Sequence, residues 1–470
     1  MNTKAVKKPS FDKTQREKLK EHAEGIMLGF LQGVIRKGDP QPFNFGDSGG
    51  TFFDGYTARF TPKFLEARRE FVILAAKMLK ARAAHEPTLA NLCLTAAQDC
   101  IKRLKQVGSH TNPDLVVEQS VEKLVDKALA EGGAQYTQIV PNFLVIPNGY
   151  DGPVKVGRVT SMRTVDASTM AGLSGNKKVS LKSGDYPNIN NSSPGTVSIG
   201  MPSMVFVVEV PAARPNVAEE AKWLIDVAIS FMRLMGEPWS ARYPQIGEIE
   251  PHPTRQTLTQ PHVTIAGGEV FGGGFPTHGA YDVDEATADS LARESIQKLA
   301  DLLFDAAEKT LAGRVAQGLG WITRGRQVSD RAERLLAFFT ALEALLTSDD
   351  KTAPITQNIS RFVSVICTSD LEQRMEIFSQ LKSIYSVRSA VVHGGKREVL
   401  WQDVNALQTY TEFVFKIVLT RCDMTIGYAK FGESLAWASH GLRWEFASPE
   451  VDRAAEAEEN LRDIGDVTSL

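Results

Sequence analysis

The chain has 470 residues, of which 43% are hydrophobic, and its formal net charge is -3 at pH 7. This length exceeds one ordinary domain and the apolar content can fill two or three cores, which excludes a disordered or fibrous protein. The near balance of charge gives no general attraction to nucleic acid or membranes, so any site for a polyanion must be a local feature.

Cysteine usage and hydropathy indicate the compartment. The four cysteines, Cys93, Cys100, Cys367 and Cys422, have neither the spacing of a disulfide framework nor that of a metal site. No apolar stretch of the kind found in a signal peptide follows the basic N-terminus, and no apolar run is long enough to span a membrane. We therefore expect a cytoplasmic protein with no membrane partner.

The first region has the apolar periodicity of helices. We predict a mainly helical N-terminal region over residues 1–135, with helices at 11–37, 61–85, 86–106 and 112–131.

Short runs of β-branched and aromatic residues, bounded by Gly, Pro and Asn, characterise the second region. We predict an α/β region over residues 136–282. Its expected strands lie at 136–146, 154–164, 204–210 and 260–265, its one helix at 217–235, and its long exposed loops at 182–195 and 267–279.

Helical patterns with short joints make up the third region, residues 283–447, and predict an antiparallel helical bundle. The fold class is therefore α+β, mainly α, and an acidic tail follows at 448–470. The expected helices of the bundle lie at 285–314, 330–347, 354–367, 371–393 and 401–428.

An arginine interrupts the apolar stripe of the predicted helix at 371–393. The stripe passes through Leu381 and Ile384, and its next position is Arg388. Because an unpaired buried charge is costly, we expect Arg388 to meet either a carboxylate or an anionic ligand. Glu343, at the edge of the apolar face of the helix at 330–347, is the candidate carboxylate.

A histidine follows the arginine five positions later. His393 directly precedes Gly394 and Gly395, the residue type that most easily adopts the left-handed conformation closing a helix. The imidazole is thus expected in the last helical turn, where the helix dipole favours its protonated form.

The segments 336–346 (LAFFTALEALL) and 384–394 (IYSVRSAVVHG) together resemble the HEPN superfamily, and within it the ApeA-like branch. The family motif is an arginine, four to six residues, and a histidine. Here Arg388 and His393 match it, with the polar Ser389 after the arginine and Tyr385 three residues before it. The resemblance covers about the last third of the chain.

The resemblance implies an all-helical domain that forms a homodimer, with two Arg-His pairs lining one cleft. Active members are metal-independent endoribonucleases, often toxins or antiviral and abortive-infection effectors that cut tRNA or other RNA. We expect Arg388 to hold the scissile phosphate and His393 to transfer protons, with no cofactor and no metal.

Supporting roles are expected for several nearby residues. Glu343, Ser389 and Tyr385 would support the site, and Arg361, Lys396 and Arg397 would add phosphate contacts. Because a stand-alone nuclease does not need residues 1–282, we expect this part to sense or regulate, with a phage or regulatory protein as its partner.

Two alternatives stay open. One is a non-catalytic HEPN module that binds RNA, a nucleotide or a protein partner. The other is a helical scaffold in which Arg388 only pairs with Glu343 and His393 only bonds a terminal carbonyl. The protease-like segment 46–50 (GDSGG) is interpreted as a turn, and the scattered histidines lack the ligand spacing of a zinc site.

Overall fold

The computed structural model describes most of the chain. The described residues are 12–35, 49–79, 85–106, 112–131, 135–173, 178–184, 186, 188–193, 195–236, 252–255, 263–266, 269–272, 281–307, 309–347, 355–395, 397–441 and 444. The predicted acidic tail and Lys396 lie outside them.

The chain forms two compact units. One comprises Met1–Gln138 and Glu209–Ala221, and the other comprises Ile139–Val208 and Lys222–Leu470. The division into regions 1–135, 136–282, 283–447 and 448–470 stays a prediction. The prediction of a mainly helical α+β protein is confirmed, because helices dominate and the strands form several small sheets.

Helices build the first unit around an aromatic and aliphatic core that includes the fully buried Phe30, Phe64 and Phe71. A three-stranded antiparallel sheet in the order β1-β3-β2 joins them. The elements are α1 (Lys13–Gln32), β1 (Val34–Ile35), β2 (Gly50–Phe53), β3 (Tyr56–Arg59), α2 (Pro62–Leu79), α3 (Glu86–Gln106) and α4 (Pro113–Glu131).

The middle of the chain is rich in strands. A four-stranded sheet has the order β4-β11-β7-β6, and a three-stranded sheet has the order β8-β10-β9. The elements are β4 (Gln135–Pro141), β5 (Val145–Pro147), β6 (Val154–Val156), β7 (Val159–Arg163), α5 (Thr164–Met170), β8 (Val179–Ser183), β9 (Asn188–Ser193), β10 (Thr196–Met201), β11 (Met204–Pro211) and α6 (Val217–Met235).

Both predicted long loops contain strands, so these two predictions were wrong in part. Strand β9 lies within 182–195 and pairs antiparallel with β10. Its sequence, NINNSS, has no apolar alternation, so backbone pairing rather than burial holds it. In 267–279, β13 (Glu269–Gly272) pairs antiparallel with β12 (Val263–Ala266). Strand β14 (Tyr281–Val283), which follows this segment, pairs parallel with β5.

Eight helices follow in the described part of the chain after β14. They are α7 (Glu285–Ala292), α8 (Glu294–Phe304), α9 (Leu311–Gln327), α10 (Arg331–Leu346), α11 (Ile355–Cys367), α12 (Leu371–Gly394), α13 (Trp401–Arg421) and α14 (Tyr428–Ala438). Helix α10 packs against α9, α11, α12 and α13, which places it at the centre of this bundle.

The predicted helix at 285–314 is divided, contrary to the sequence pattern. Arg293 adopts an extended conformation between α7 and α8, and Thr310 caps the start of α9 by accepting a hydrogen bond from the Gly313 amide. Helices α5, α9 and α14 were not predicted as separate elements.

Helix α9 was not predicted because its sequence contains several glycines. A glycine inside a helix costs about 1 kcal/mol relative to alanine, so a segment with several of them is not predicted as a helix. The structure explains two of them by close packing: an added Cβ on Gly318 would lie 2.1 Å from the Phe415 ring, and one on Gly320 would lie 2.4 Å from the Trp223 ring. Tight packing therefore selects glycine at these positions.

Candidate functional site

Helix α12 positions the two residues of the Arg-His motif. Asp370 caps its start by accepting a hydrogen bond from the Gln373 amide at 2.9 Å. Gly395 ends it in the left-handed conformation, with φ of 63°, and its amide donates to the Ala390 carbonyl. His393 therefore lies in the last turn, as the two glycines predicted.

The apolar stripe of α12 places Arg388 beside α10. Leu381 and Ile384 are buried, and the Arg388 side chain keeps 23% of its surface exposed. Its Nη2 donates a hydrogen bond of 3.1 Å to Oε1 of Glu343, whose side chain is 25% exposed. Glu343 is therefore the carboxylate partner of Arg388, as the sequence predicts.

The ion pair joins the two groups through one hydrogen bond, whereas an arginine and a carboxylate can form two. Burial raises the pKa of Glu343 above its ordinary value, and the positive charge of Arg388 only partly offsets this effect. Burial therefore disfavours the charged form of Glu343, on which the ion pair depends.

Aromatic rings form a second side of the Arg388 surroundings. The guanidinium carbon lies 5.2 Å from the centroid of the Tyr385 ring, a distance that allows a cation–π contact. Tyr385 in turn contacts Phe339 of α10 edge to face at 5.2 Å. Among the described residues, Nε of Arg388 is buried and has no hydrogen-bond partner. A ligand could reach only the part of the Arg388 side chain, about a quarter, that stays exposed.

His393 is exposed, and Ser389 is half-buried. On a helix, residues five apart point about 140° away from each other and are about 7.5 Å apart along the axis. Arg388 and His393 of one chain therefore leave the helix in divergent directions.

Two of the other predicted phosphate contacts, Arg361 and Arg397, bond to residues other than Glu343. Arg361 donates to Asn358 on its own helix, and its Nε has no hydrogen-bond partner among the described residues. Arg397 is exposed and pairs with Asp330, the residue that caps α10, at 3.1 Å. Lys396 lies outside the described residues.

A buried polar network was missed by the sequence analysis. Arg326 of α9 donates to both carboxylate oxygens of Glu412 of α13, at 2.7 and 3.0 Å, and both side chains are almost fully buried. Arg334 of α10 donates to Gln408, which also donates to Glu412. The network ties three helices together, and its sequence signal was hidden because α9 was not predicted.

A second buried carboxylate joins α6 to α9. Asp226 is fully buried and accepts a hydrogen bond of 3.2 Å from Nε of Arg324, which also lies 4.7 Å from the Trp223 ring. Burial raises the pKa of Asp226 to about 6 against the opposing effect of Arg324. Neither this pair nor the network around Glu412 involves Arg388.

The structure also bears on metal binding, on membrane-spanning helices and on the segment 46–50. Among the described residues, no cluster of His, Cys, Asp and Glu could hold a metal ion. No helix in the described ranges has the length and apolar character needed to cross a membrane. Of the segment 46–50, only its last two residues are described, and Gly49 has a φ of 70°.

Comparisons of the chain with models of protein families, with curated proteins and with solved structures gave no match.

Proposed function

We propose that the chain is a HEPN-type, metal-independent endoribonuclease of the defence or toxin class, acting as a homodimer in the cytoplasm on RNA, with tRNA as one candidate. The observation that carries the proposal is the state of Arg388. This side chain lies on α12, is bound to Glu343 through one hydrogen bond, and keeps about a quarter of its surface exposed.

The chemistry needs only these side chains. Arg388 would bind the scissile phosphate and stabilise the charge of the phosphorane. The 2′-oxygen would form a bond to phosphorus as the bond to the 5′-oxygen breaks. His393 would take the 2′-hydroxyl proton or give a proton to the leaving 5′-oxygen, and solvent water would carry out the other proton transfer. The products would be a 2′,3′-cyclic phosphate and a 5′-hydroxyl.

The divergence of Arg388 and His393 along α12 supports the dimer in this proposal, because two copies facing each other bring both side-chain types into one cleft. Residues 1–282 would sense a trigger or restrain the nuclease, and a phage or regulatory protein is the partner proposed for them.

Cleavage of RNA in the presence of EDTA, by the full-length chain, tests the proposal. We expect wild-type protein to give cyclic-phosphate ends, and Arg388→Ala and His393→Ala each to abolish them. Lys382→Ala is the matched control, because Lys382 is an exposed cation on the same helix. Cleavage retained by both site variants would exclude the assignment.

The alternative, a non-catalytic binding module, has its own outcome in the same experiment. Under it, wild-type protein binds RNA without producing cyclic-phosphate ends, and Arg388→Ala lowers the affinity. Under the helical-scaffold alternative there is no cleavage, and Arg388→Ala leaves any binding of RNA unchanged.

A further inference from the structure

A groove on the first unit, far in sequence from the Arg-His motif, carries unbalanced positive charge. It runs between α3 and α4 and has a free volume of about 30 Å³. Arg103 of α3 and Lys123 and Lys127 of α4 line it, with Asp99 as its one lining carboxylate. The chain as a whole has a net charge of -3, so this groove departs from the general surface.

Two carboxylates of α4 are bound to cations of α1. Arg16 of α1 binds Glu122 and Asp126 at 3.3 and 2.7 Å, and Lys20 binds Glu122 at 2.6 Å. These carboxylates are therefore engaged away from the lysines that follow them in the sequence.

Among the residues that the structure describes, the three cations of the groove have no acidic partner. In the described part of the chain, Lys123, Lys127 and Arg103 form no ion pair, and Arg103 donates instead to the Gln119 side chain at 2.6 Å. Lys123 and Lys127 are one helical turn apart, a spacing at which like charges destabilise a helix by about 0.2–0.5 kcal/mol. An anion lying along the groove would remove this repulsion.

The shape of the groove limits which kind of anion it can bind. Its lining includes the buried Ser120 and Leu124 and the partly buried Ala96, and its volume is about that of one water molecule. It has no pocket to hold the apolar anchor residue of a peptide. A strand of nucleic acid does not need such a pocket, because evenly spaced phosphates are bound by charge alone.

We propose that the groove between α3 and α4 binds the phosphate backbone of a single-stranded RNA. This inference does not depend on cleavage at Arg388, and the groove would serve equally in an RNA-binding protein without nuclease activity.

Binding of a fluorescent oligouridylate with 2′-O-methyl riboses tests the groove, because this probe has no 2′-hydroxyl to attack. The full-length Lys123→Glu/Lys127→Glu variant should bind it at least tenfold more weakly than wild type. Each phosphate contact on a single strand contributes about 0.7 to the steepness with which log K falls as log salt rises. Loss of two contacts should therefore make this slope shallower by about 1.4.

A second double variant separates a local groove from general charge. Lys63→Glu/Lys77→Glu changes two exposed lysines of α2 in the same unit by the same total charge, and its affinity should stay within twofold of wild type. Equal weakening by both double variants, no weakening by the first, or no binding by wild type would overturn the proposal.

Two further outcomes distinguish the alternatives. If polyglutamate displaces the probe as well as unlabelled RNA does at equal charge, the groove is a surface for acidic proteins and the RNA assignment is wrong. Groove-dependent binding by a wild-type protein that cleaves no RNA would refute the proposed nuclease alone. Cleavage unaffected by the groove variants, with binding also unaffected, would refute the groove alone.

Discussion

Replacing Glu343 by glutamine tests how the ion pair controls Arg388. Glutamine keeps the shape of the side chain and removes its negative charge, so the guanidinium loses its intramolecular counterion. If Arg388 is a phosphate-binding group, Glu343 competes with the phosphate. We expect Glu343→Gln to tighten binding of a non-cleavable RNA at this site.

The size of the effect follows from the geometry. At about 4 Å between charge centres and an effective dielectric constant of about 20, the attraction is about 4 kcal/mol, of which desolvation offsets a part. Both side chains keep about a quarter of their surface exposed, and they share one hydrogen bond. We therefore expect about 1–2 kcal/mol, equivalent to an increase in affinity of about 5- to 30-fold.

The dependence on pH supplies a second measurement. The pKa of Glu343 is raised by burial, so its carboxylate is protonated at higher pH than an exposed glutamate. As the pH falls through that raised pKa, the wild-type protein loses the counterion charge and its affinity should approach that of Glu343→Gln. The difference between the two proteins should be largest at neutral pH and shrink in acid.

Fluorescence anisotropy with the 2′-O-methyl probe measures both effects, and Glu333→Gln is the control because Glu333 is an exposed carboxylate on the same helix. Weaker binding by Glu343→Gln would refute the competition and identify Glu343 as a group that orients Arg388 for the ligand. An unchanged affinity at all pH values would mean that RNA does not contact Arg388.

The remaining predictions concern stability. Glu412→Ala leaves Arg326 buried without its carboxylate and should lower the free energy of unfolding in denaturant by about 3–5 kcal/mol, whereas Glu333→Ala should change it by less than about 0.5 kcal/mol. Because the pKa of Asp226 is about 6 in the folded protein and about 3.9 in an unfolded chain, its protonation stabilises the fold in acid, and this contribution disappears as the pH rises to 6. Asp226→Asn should therefore raise the melting temperature most above pH 6 and least near pH 4, and the reverse order would contradict the assignment. Gly318→Ala should destabilise by about 1–3 kcal/mol in the same denaturant titration, because its methyl group overlaps the Phe415 ring.

Helices with clear periodicity were predictable from the sequence. The prediction of 86–106 coincides with α3, and that of 217–235 coincides with α6. The prediction of 371–393 stops one residue before the end of α12. The end of α12 is determined by the local sequence, because a glycine in the left-handed conformation closes the helix whatever packs against it.

Elements stabilised by distant contacts were not predictable. Helix α9 contains glycines because the Phe415 and Trp223 rings pack closely against it, and these rings are distant in the sequence. Strand β9 depends on its partner β10 rather than on an apolar pattern. Arg326 and Glu412 are 86 residues apart in the sequence, so no local pattern identifies them as a pair.

The candidate site was predictable to the extent that it is local. The apolar stripe of α12 fixes which way Arg388 points, and the edge position of Glu343 on α10 made it the candidate partner. The single hydrogen bond and the unused Nε depend on how closely the two helices approach, which the sequence does not contain. The nuclease function itself stays a prediction.

A mixing experiment decides whether Arg388 and His393 act from different chains. A helix directs residues five apart in divergent directions, so a productive Arg-His pair should join two copies. Arg388→Ala and His393→Ala proteins, each inactive alone, should regain activity when unfolded together and refolded. Random pairing makes half of the dimers mixed, and each mixed dimer holds one of two equivalent cross-chain pairs, so about a quarter of wild-type activity is expected. Mixing each variant with itself is the control. No recovery, despite mixed dimers detected by two different tags, would mean that the two residues act within one chain or not at all.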